Sequence, residues 1–423
     1  MTVIQKKPGN AYTRLSADDI TAIGSELDAI RAEVLASRGA RDAAYIRRLI
    51  KCQRSLELGS RAVLLFSRQP AAWAVGTLGL AVAKIIENAE LGHNIMHGQW
   101  DWMRDPKIHS TTWEWDHISP AAQWKRSHNQ EHHNYTNVIG RDHDLGYGIM
   151  RVDEDQEWKP LYLVQPLVNL LNALFFEWGI ASYDLGYAQA RREGRPQDPE
   201  LGQRLRDVLA KAGRQLAKDY VLFPALSGRN FTATLAANFT ANTIRNVWTH
   251  SFIMCGHFPE DVETFETHSI DGETHEQWYL RQMLGSANIS GGPAIHLLTG
   301  NLSHQIEHHL YPDLPSNRYV EVAPRVRALF DRYGLNYSSA PMWRQLYSAW
   351  HRIIRLSLPN ELQRERRRSG RAARREAQRA DLAGTPRGTF ATRATAAART
   401  TRASRRGRRT LVTAALQRTT LQP

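Results

Sequence analysis

Residues 70–97 read PAAWAVGTLGLAVAKIIENAELGHNIMH. The first part of this stretch, residues 70–86, is mostly apolar and approaches the roughly 20 residues that an α-helix needs to cross a bilayer. Residues 161–182 and 231–256 are two further apolar segments, which polar side chains interrupt. Polar residues inside such segments usually face a functional interior. The sequence therefore predicts an all-α fold in the form of a membrane-embedded helical bundle, although a mean hydropathy of -0.49 alone would suit a soluble protein.

The end of the same stretch carries the first of three histidine clusters. His93 and His97 are four residues apart, so one helical turn places both imidazoles on one face, with Cβ atoms roughly 5–6 Å apart. Each of the other two clusters ends in an adjacent pair; they are His128, His132 and His133, and His304, His308 and His309. No charge or packing argument needs so many imidazoles at these offsets, whereas a metal centre does.

The number of histidines predicts two metal ions. Imidazole ligands suit zinc, copper, iron or nickel. Zinc usually takes three or four protein ligands, so eight histidines imply a second ion. Two metals with neutral nitrogen ligands keep a high positive charge, and such a centre could bind and reduce O2 if electrons arrive from outside. Nearby carboxylates are candidates to orient the imidazoles; they are Glu90, Glu131, Asp142, Asp144 and Glu307.

A soluble di-iron carboxylate bundle is an alternative interpretation. That fold needs Glu-x-x-His on two helices and a further glutamate from each of two others. The chain contains Glu90-x-x-His93 and Glu114-x-x-His117, but they lie too close in sequence for two long bundle helices. This alternative also leaves the two adjacent histidine pairs without a role.

The charge of the chain is concentrated at its C-terminus. From Asn360 to Pro423 there are 17 arginines and four acidic residues, which account for the whole formal net charge of +13. This low-complexity composition is typical of a disordered tail, for which attraction to anionic lipid is favoured over nucleic acid. Before it, residues 1–58 are expected to form an N-terminal amphipathic helical region, and residues 59–359 the main domain.

Cysteine usage and the N-terminus exclude other classes. The two cysteines, Cys52 and Cys255, argue against a disulfide framework and against a cysteine-based zinc or iron–sulfur site. The first ten residues lack an apolar h-region, so we expect no signal peptide.

The histidine clusters also form boxes with recognisable spacing. They read His93-x-x-x-His97, His128-x-x-x-His132-His133 and Gln305-x-x-His308-His309. Their surroundings include Met96-His-Gly-Gln-Trp-Asp-Trp-Met, Cys255-Gly-His-Phe-Pro and Leu310-Tyr-Pro-Asp-Leu-Pro-Ser-Asn-Arg. On these motifs, residues 15–360 resemble the membrane fatty acid desaturase family, of the actinobacterial acyl-CoA type.

The resemblance implies a cytosolic helical cap that carries a di-iron site, with two Fe ions as cofactors and O2 as co-substrate. It also implies a ligand in Gly256-His257-Phe258-Pro259, for which His250 is the alternative. The third box begins with Gln305 where many relatives have histidine, so Gln305 or the preceding His304 is the candidate for that position. The implied metal ligands are His93, His97, His128, His132, His133, His257, His304, Gln305, His308 and His309. The remaining histidines match no box and are expected to be structural or on the surface; they are His109, His117, His143, His268, His275, His296 and His351.

The implied reaction is the oxygen-dependent insertion of a double bond into a long acyl chain, with acyl-CoA as the substrate. Because the methylene groups of that chain are nearly identical, a narrow bent tunnel must fix the register. Tryptophans are the candidates for its lining, namely those between residues 100 and 124 (Trp100, Trp102, Trp113, Trp115 and Trp124) and Trp278, with Trp100, Trp102, Trp113 and Trp278 favoured. Arg245 and Arg281 are candidates to bind the phosphates of the headgroup.

The resemblance also implies a partner protein and a cellular location. The chain has no Rossmann fingerprint, no cysteine cluster and no fused haem domain, so the resemblance implies an external NADPH-dependent reductase, either a flavin or an iron–sulfur protein. We expect a multi-pass protein of the cell membrane whose metal site faces the cytosol, with no nucleic-acid partner.

Two rival functions fit the same histidines. A lipid hydroxylase shares the first hydrogen abstraction, and only the product mass distinguishes it. A histidine-rich membrane protein that binds or transports metal without redox chemistry would distribute its ligands along a crossing path. Here the histidines cluster just beyond apolar segments, which disfavours transport.

Overall fold

The computed structural model describes residues 14–142, 144–187, 194 and 199–362. His143 and the arginine-rich segment from residue 363 onward lie outside the described residues. Residues Met1–Asn360 form one unit and Glu361–Pro423 a second. The boundary expected after residue 58 falls inside a helix, Ala40–Leu64.

The described chain is mostly helical with almost no strand, which confirms the all-α prediction. The helices are α1 (Ala17–Ala36), α2 (Ala40–Leu64), α3 (Pro70–Ile86), α4 (Ala121–Trp124), α5 (Gln165–Leu174), α6 (Phe176–Asp184), α7 (Leu201–Leu216), α8 (Phe231–His257), α9 (His275–Leu284), α10 (Pro293–Leu298), α11 (Gln305–Leu310), α12 (Tyr319–Arg332) and α13 (Met342–Leu356). Short 3₁₀ helices occupy Asp101–Met103, Gly146–Gly148, Pro160–Val164, Gly228–Asn230, Thr267–Ile270 and Ser316–Arg318. Two short strands, β1 (Asn288–Ser290) and β2 (Ser339–Pro341), pair in parallel.

Three helices continue into π-helices, which the sequence did not predict. The π-helices Glu87–His93, Lys125–His132 and Ala217–Leu222 extend α3, α4 and α7. Each is followed by a short α-helical piece, respectively Asn94–Met96, His133–Tyr135 and Phe223–Leu226. π-Helical segments are rare and occur frequently at functional sites. Here two of the three carry the first two histidine boxes.

The sequence at the start of α1 explains where this helix begins and which face it buries. Ser16 and Asp19 form a capping box at the start of α1, which satisfies the first free backbone N–H groups of the helix. Ile23, Leu27 and Ile30 then recur on one face of α1 and are buried. They join a core to which α9, α11 and α12 also contribute. This core lies under the third histidine box, since α11 carries His308 and His309.

The apolar segments take three forms in the structure. Pro70–Met96 is one continuous helix of 27 residues that is long and apolar enough to cross a membrane. Pro160–Leu174 and Phe176–Asp184 pass the same test as a pair but are bent by 101° at the break between them. The third segment, α8, is also 27 residues long, but its buried face carries polar side chains including Asn238, Asn242 and Arg245.

A glycine at the approach to the third box lets two backbones meet. Gly300 has φ +67°, and a Cβ at this position would lie 2.4 Å from the carbonyl oxygen of Ala89 in the first π-helix. The carbonyl oxygen of Gly300 accepts a hydrogen bond from Asn94 Nδ2 at 3.0 Å. Together these contacts fix the segment before α11 against the extension of α3.

Candidate metal centre

The structure brings the boxes together into two neighbouring groups of buried imidazoles. In the first group, the nearest ring nitrogens of four histidines all lie within 4.8 Å of one another; these are His93, His97, His128 and His308. In the second group, the ring nitrogens of three histidines likewise lie within 4.8 Å of one another; these are His132, His257 and His309. Both groups therefore draw on at least three separate segments of the chain, as a pair of metal sites requires.

His133 lies between the two groups. Its ring centroid is 4.6 Å from that of His97, 4.9 Å from that of His308 and 4.5 Å from that of His309. Among the described residues, neither ring nitrogen of His133 has a hydrogen-bond partner. The Nε2 atoms of His97 and His128 are likewise buried without a partner. Buried polar atoms are nearly always satisfied, so these free nitrogens fit ligands of a metal ion.

The π-helices set the spacing of the first two boxes. His93 is the last residue of one π-helix and its ring lies 4.7 Å from that of His97. His128 and His132 both belong to the other π-helix, and their rings stack at 5.0 Å. The prediction that each pair shares one face is confirmed, but a wider turn than the expected α-helix provides it for His128 and His132.

Hydrogen bonds from the opposite ring nitrogens hold several of the imidazoles in place. His132 Nδ1 lies 2.9 Å from Asp142 Oδ1, and His128 Nδ1 lies 3.0 Å from Asp144 Oδ2. His257 Nδ1 lies 3.3 Å from the carbonyl oxygen of Gly285. A metal-ligating histidine typically donates its other N–H to such an acceptor, which fixes its tautomer and ring orientation. In this arrangement the Nε2 atoms are the ones left for metal.

The partners of the third box have no counterpart among the residues that the sequence predicted. His308 Nδ1 lies 3.2 Å from the hydroxyl of Tyr319, and His309 Nδ1 lies 3.2 Å from Gln282 Oε1. These contacts come from α12 and α9, helices that carry no box. A lone tyrosine or glutamine has no spacing signature, so no signal in the sequence could have found them.

Burial keeps most of these imidazoles neutral. Burial and the neighbouring histidines lower the pKa values of His128, His133, His308 and His309 well below the ordinary value of 6.5. His132 differs, because the carboxylates of Asp142 and Asp144 outweigh its burial and raise its pKa to about 8. Neutral imidazole is the form that binds metal.

Two of the predicted orienting carboxylates have other partners. Glu90 accepts hydrogen bonds from the hydroxyl of Tyr45 at 2.8 Å and from Asn301 Nδ2 at 2.9 Å. Glu307 accepts hydrogen bonds from Asn288 Nδ2 at 2.8 Å and from the hydroxyl of Tyr337 at 2.9 Å. These carboxylates hydrogen-bond the segments that carry the boxes to neighbouring segments, and neither bonds to an imidazole of either group.

His304 and Gln305 are placed differently by the start of α11. Gln305 is the first residue of the helix, and its Nε2 lies 2.9 Å from His257 Nε2. His304 precedes the helix with a non-helical backbone, and its ring stacks on that of His296 at 4.6 Å. The structure therefore places His304 outside both groups, whereas Gln305 adjoins the second group. The alternative His250 is also directed elsewhere, since its Nε2 lies 2.9 Å from Asn169 Oδ1.

Of the histidines expected to be structural or on the surface, His117 alone among the described residues lines the cavity next to the two groups, where its ring stacks on Trp115 at 4.2 Å. His109, His268, His275 and His351 each lie near a surface carboxylate instead. The carboxylate-bundle alternative also fails here, because Glu114 pairs with Lys211 and lies outside both groups.

A mostly apolar cavity, which we call the metal-side cavity, adjoins both histidine groups. His93 and His128 of the first group and His132 and His257 of the second contribute to its wall. The rest of the wall is largely apolar and includes Ala89, Trp115, Trp124, Phe176, Ile180, Phe252, Ile253 and Leu302. Its volume is about 60 Å³. The cavity is thus a narrow slot beside the candidate metal centre.

Of the tryptophans predicted as lining residues, Trp115 and Trp124 border this cavity, whereas Trp100, Trp102, Trp113 and Trp278 do not. Trp100 is fully buried in a separate apolar cluster beneath α2, and Trp102 donates its indole N–H to the carbonyl oxygen of Gln99. Trp113 lies beside the guanidinium of Arg54, and Trp278 stacks on His275. Several tryptophans crowd one irregular segment, and composition does not tell which ones point inward.

The two candidate phosphate-binding arginines are also internal. Arg245 Nη2 pairs with Glu177 at 2.7 Å, and Arg281 Nη2 pairs with Glu273 at 2.7 Å. Both side chains are only 2% exposed. Neither guanidinium is therefore available to a headgroup at the surface, and that expectation was wrong.

Comparison with known proteins agrees with this geometry. The sequence model of the family described as fatty acid desaturase matches residues 69–341, which contain all three boxes and His257.

The chain belongs to the fatty acid desaturase family.

Relatives of this desaturase differ in the substrates that their names state. The NADPH-dependent stearoyl-CoA 9-desaturase of Mycobacterium tuberculosis is 49% identical over 360 residues, which cover 84% of each chain. The sn-1 linoleoyl-lipid 6-desaturase of Synechocystis is 24% identical over 288 residues, covering 66% of this chain and 79% of that one. The acyl-lipid (7-3)-desaturase of Rebecca salina is 25% identical over 236 residues, or 55% of this chain and 53% of that one. The resemblance found in the boxes is confirmed, and the protein is an oxidoreductase.

Proposed function

We propose that this desaturase introduces a double bond into the chain of a long acyl-CoA, in an O2-dependent reaction at a histidine-held di-iron centre. The observation that carries the proposal is the metal-side cavity, because its wall combines imidazoles from both groups with apolar side chains. A methylene group in this slot would lie beside both candidate metal positions. The name of the 49% identical relative supports a CoA thioester as the substrate.

The ligand assignment follows the two groups. His93, His97, His128 and His308 would hold one iron, and His132, His257 and His309 the other. His133 completes either site, and the side chain of Gln305 closes the second group on the side of the cavity. Iron held in this way supplies the activation of O2 that removal of hydrogen from an unactivated methylene requires. Nitrogen-rich sites with imidazole ligands suit iron among other transition metals.

The protein positions the metal ligands and the acyl chain, and it excludes water from the metal-side cavity. Asp142, Asp144 and Tyr319 orient imidazoles through their Nδ1 atoms, so that the ligand geometry exists before metal arrives. Trp115 and Trp124 form part of the wall of the metal-side cavity. A narrow slot restricts which carbons of the chain come within reach, and such positioning is worth several kcal/mol of the reaction barrier.

The reaction also requires electrons and protons from outside the site. One O2, two electrons and two protons combine with the two hydrogens of a –CH2–CH2– unit to give –CH=CH– and two molecules of water. The chain carries no dinucleotide-binding fingerprint, so we assign electron supply to an external NADPH-dependent reductase, either a flavin or an iron–sulfur protein. The name of the mycobacterial relative supports NADPH as the source.

We place the protein in the cell membrane as a multi-pass protein whose metal site faces the cytosol. Pro70–Met96 supports one span, and the bent pair around Phe175 supports a second or a re-entrant segment. The outer side of that pair exposes large apolar side chains, among them Leu161 at 71% and Leu167 at 57%. Exposed apolar surface of this extent is typical of contact with a membrane or a partner. A cytosolic orientation follows from the need for a reductase that uses NADPH.

The proposal is tested by expressing the protein in a host whose fatty acids are known. The expected product has lost two hydrogens from a long acyl chain, as gas chromatography–mass spectrometry of the lipids would show. His132→Ala should abolish both iron loading and desaturation, whereas His268→Ala, which removes an exposed ring outside both histidine groups, should keep both. A product that has gained an oxygen would show a hydroxylase, and full activity of His132→Ala would contradict the metal assignment. Purified protein that binds zinc instead of iron, without O2-dependent turnover, would revive the non-redox alternative.

A further inference from the structure

A second, larger cavity lies next to the slot beside the histidines. We call it the outer cavity; its volume is about 790 Å³, against about 60 Å³ for the metal-side cavity. This volume lies within the usual range of small-molecule sites. Its wall is also mostly apolar, with Leu145, Ile149, Met150, Leu185, Leu201 and Leu205, but it includes polar side chains as well, namely Asp142, Gln156, Tyr162, Asn172, Ser182 and Tyr187. The two cavities thus differ chiefly in size, and the larger one offers several polar groups beside Tyr147.

Tyr147 is the only described residue that lines both cavities. Its ring is 8% exposed and packs between aromatic neighbours, stacking on Phe258 at 6.2 Å and meeting Phe176 edge-on at 6.0 Å. Those contacts fix the ring at the boundary. Its hydroxyl is buried and has no hydrogen-bond partner among the described residues. A buried hydroxyl left unpaired is unfavourable unless a further group accepts its hydrogen bond.

The backbone around Tyr147 is also unusual. Gly146, Tyr147 and Gly148 have φ values of 79°, 49° and 61°, so three successive residues adopt the left-handed conformation. Glycine adopts it easily, but for a bulky aromatic residue it is uncommon and unfavourable. Strained conformations of this kind persist where the surrounding structure imposes them, and they cluster at ligand-binding sites.

We propose that the ring of Tyr147 separates the two ends of the substrate and thereby sets the position of the double bond, an inference that rests on the proposed acyl-CoA desaturase function. The thioester end occupies the outer cavity, where polar side chains and the Tyr147 hydroxyl can bind it. The hydrocarbon chain passes the ring and enters the metal-side cavity. The number of carbons between the thioester and the ring then determines which methylene groups lie beside the histidines.

The test compares double-bond positions in purified variants supplied with stearoyl-CoA, the reductase and NADPH. Tyr147→Ala removes the partition, so we expect at least two positional isomers where the unaltered protein gives one. Tyr147→Phe keeps the ring and should keep the single position, while loss of the hydroxyl raises KM by about three- to tenfold. If the alanine variant does not accumulate, Tyr147→Leu makes the same test with an apolar side chain. Dimethyl disulfide adducts of the methyl esters locate the bond by mass spectrometry.

A matched control is Tyr333→Ala, which removes a partly buried tyrosine that lines neither cavity. This variant should give the same isomer as the unaltered protein. Binding supplies a readout independent of turnover: Tyr147→Trp should overfill the boundary and weaken anaerobic binding of stearoyl-CoA by about tenfold, measured by isothermal titration.

Three outcomes contradict the inference. A single unchanged isomer from folded Tyr147→Ala would show that the ring does not set the register. A change in accepted chain length with the bond still at its original distance from the carboxyl carbon would place the methyl end in the outer cavity. Unaltered binding by Tyr147→Trp would show that the substrate does not cross the boundary. Absence of any olefinic product from the unaltered protein would instead contradict the proposed function, so the two failures are distinguishable.

Discussion

Replacing Asp142 with asparagine removes one charge beside the second histidine group and leaves the side chain almost the same size. Asp142 Oδ1 lies 2.9 Å from His132 Nδ1 and accepts a hydrogen bond from the backbone N–H of Asp144 at 2.9 Å, while Oδ2 accepts one from the backbone N–H of Asn137 at 2.7 Å. An asparagine can accept on one side only, and its NH2 group must face donors on the other. In either orientation of the amide His132 therefore loses its charged acceptor, so its proton is held less firmly on Nδ1 and its Nε2 is a weaker ligand for metal.

The size of the effect follows from two roles of this carboxylate. Loss of the acceptor of a metal-ligating histidine typically costs 10–100-fold in metal affinity, or about 1.4–2.7 kcal/mol. In the metal-free protein, burial lowers the pKa of His132, but Asp142 and Asp144 raise it overall from 6.5 to about 8. That shift corresponds to about 2 kcal/mol of unfolding free energy. Because the folded pKa is raised, this contribution is present below about pH 6.5 and is lost as the pH rises through about 8.

Two measurements check the prediction. Competition with a chelator, followed by elemental analysis of the protein, gives the metal dissociation constant. Chemical denaturation of the metal-free protein should show a larger loss of stability in Asp142→Asn at pH 6 than at pH 9. Asp261→Asn makes the same chemical change on an exposed carboxylate and should match the unaltered protein in both assays. A folded Asp142→Asn that keeps its metal affinity within twofold would refute the reasoning.

Three other substitutions probe the surrounding structure. Asp42→Asn breaks the buried pair in which Arg318 Nε and Nη2 each lie 2.7 Å from the carboxylate, and should cost about 3 kcal/mol of unfolding free energy. Burial opposes ionisation of Asp42, but hydrogen bonds from Arg318 lower its pKa below 3.8 overall, so the difference from the unaltered protein should shrink as the pH falls below about 4 in denaturation curves. Gly300→Ala places a Cβ against the carbonyl oxygen of Ala89 at positive φ, and should lower stability by about 2 kcal/mol or more in the same assay. Trp124→Ala should cost about 3–5 kcal/mol and widen the slot, so that product analysis shows less selectivity for chain length.

The sequence was most informative where several identical residues recur at fixed spacing. The boxes predicted that His93, His128 and His308 would meet, and the structure places all three in one group. His257 stood alone in the sequence, and only the resemblance of the motif around it predicted it as a ligand; the structure places it in the second group. Such positions are predictable because metal binding demands one residue type at a few allowed offsets.

Other parts of the site were not predictable for identifiable physical reasons. His304 lies one residue before the start of α11, whereas Gln305 is the first residue of that helix, and their side chains therefore have different neighbours. Helix boundaries are poorly defined by sequence. Gln282 and Tyr319 reach the histidines from helices distant in the chain, and their contacts depend on packing rather than on local pattern. The change from α to π geometry at Glu87–His93 likewise depends on the surrounding structure, since no residue there is typical of that geometry.

The π-helical turn before His93 sets how the residues after it are rotated relative to α3. That rotation depends on the number of residues in the turn. A π-helical segment accommodates an extra residue relative to a regular α-helix, in which each residue advances by about 100°. Ordinary α winding of this segment at unchanged length would rotate everything after it by that angle relative to α3. His93 and His97 would then turn away from His128 and His308 together, even though both side chains remain in the sequence. Deleting one residue between Glu87 and Leu91 would compensate for that rotation and return both imidazoles to nearly their original direction. In this protein, the number of residues within one turn matters to the candidate metal centre as much as the identity of the imidazoles.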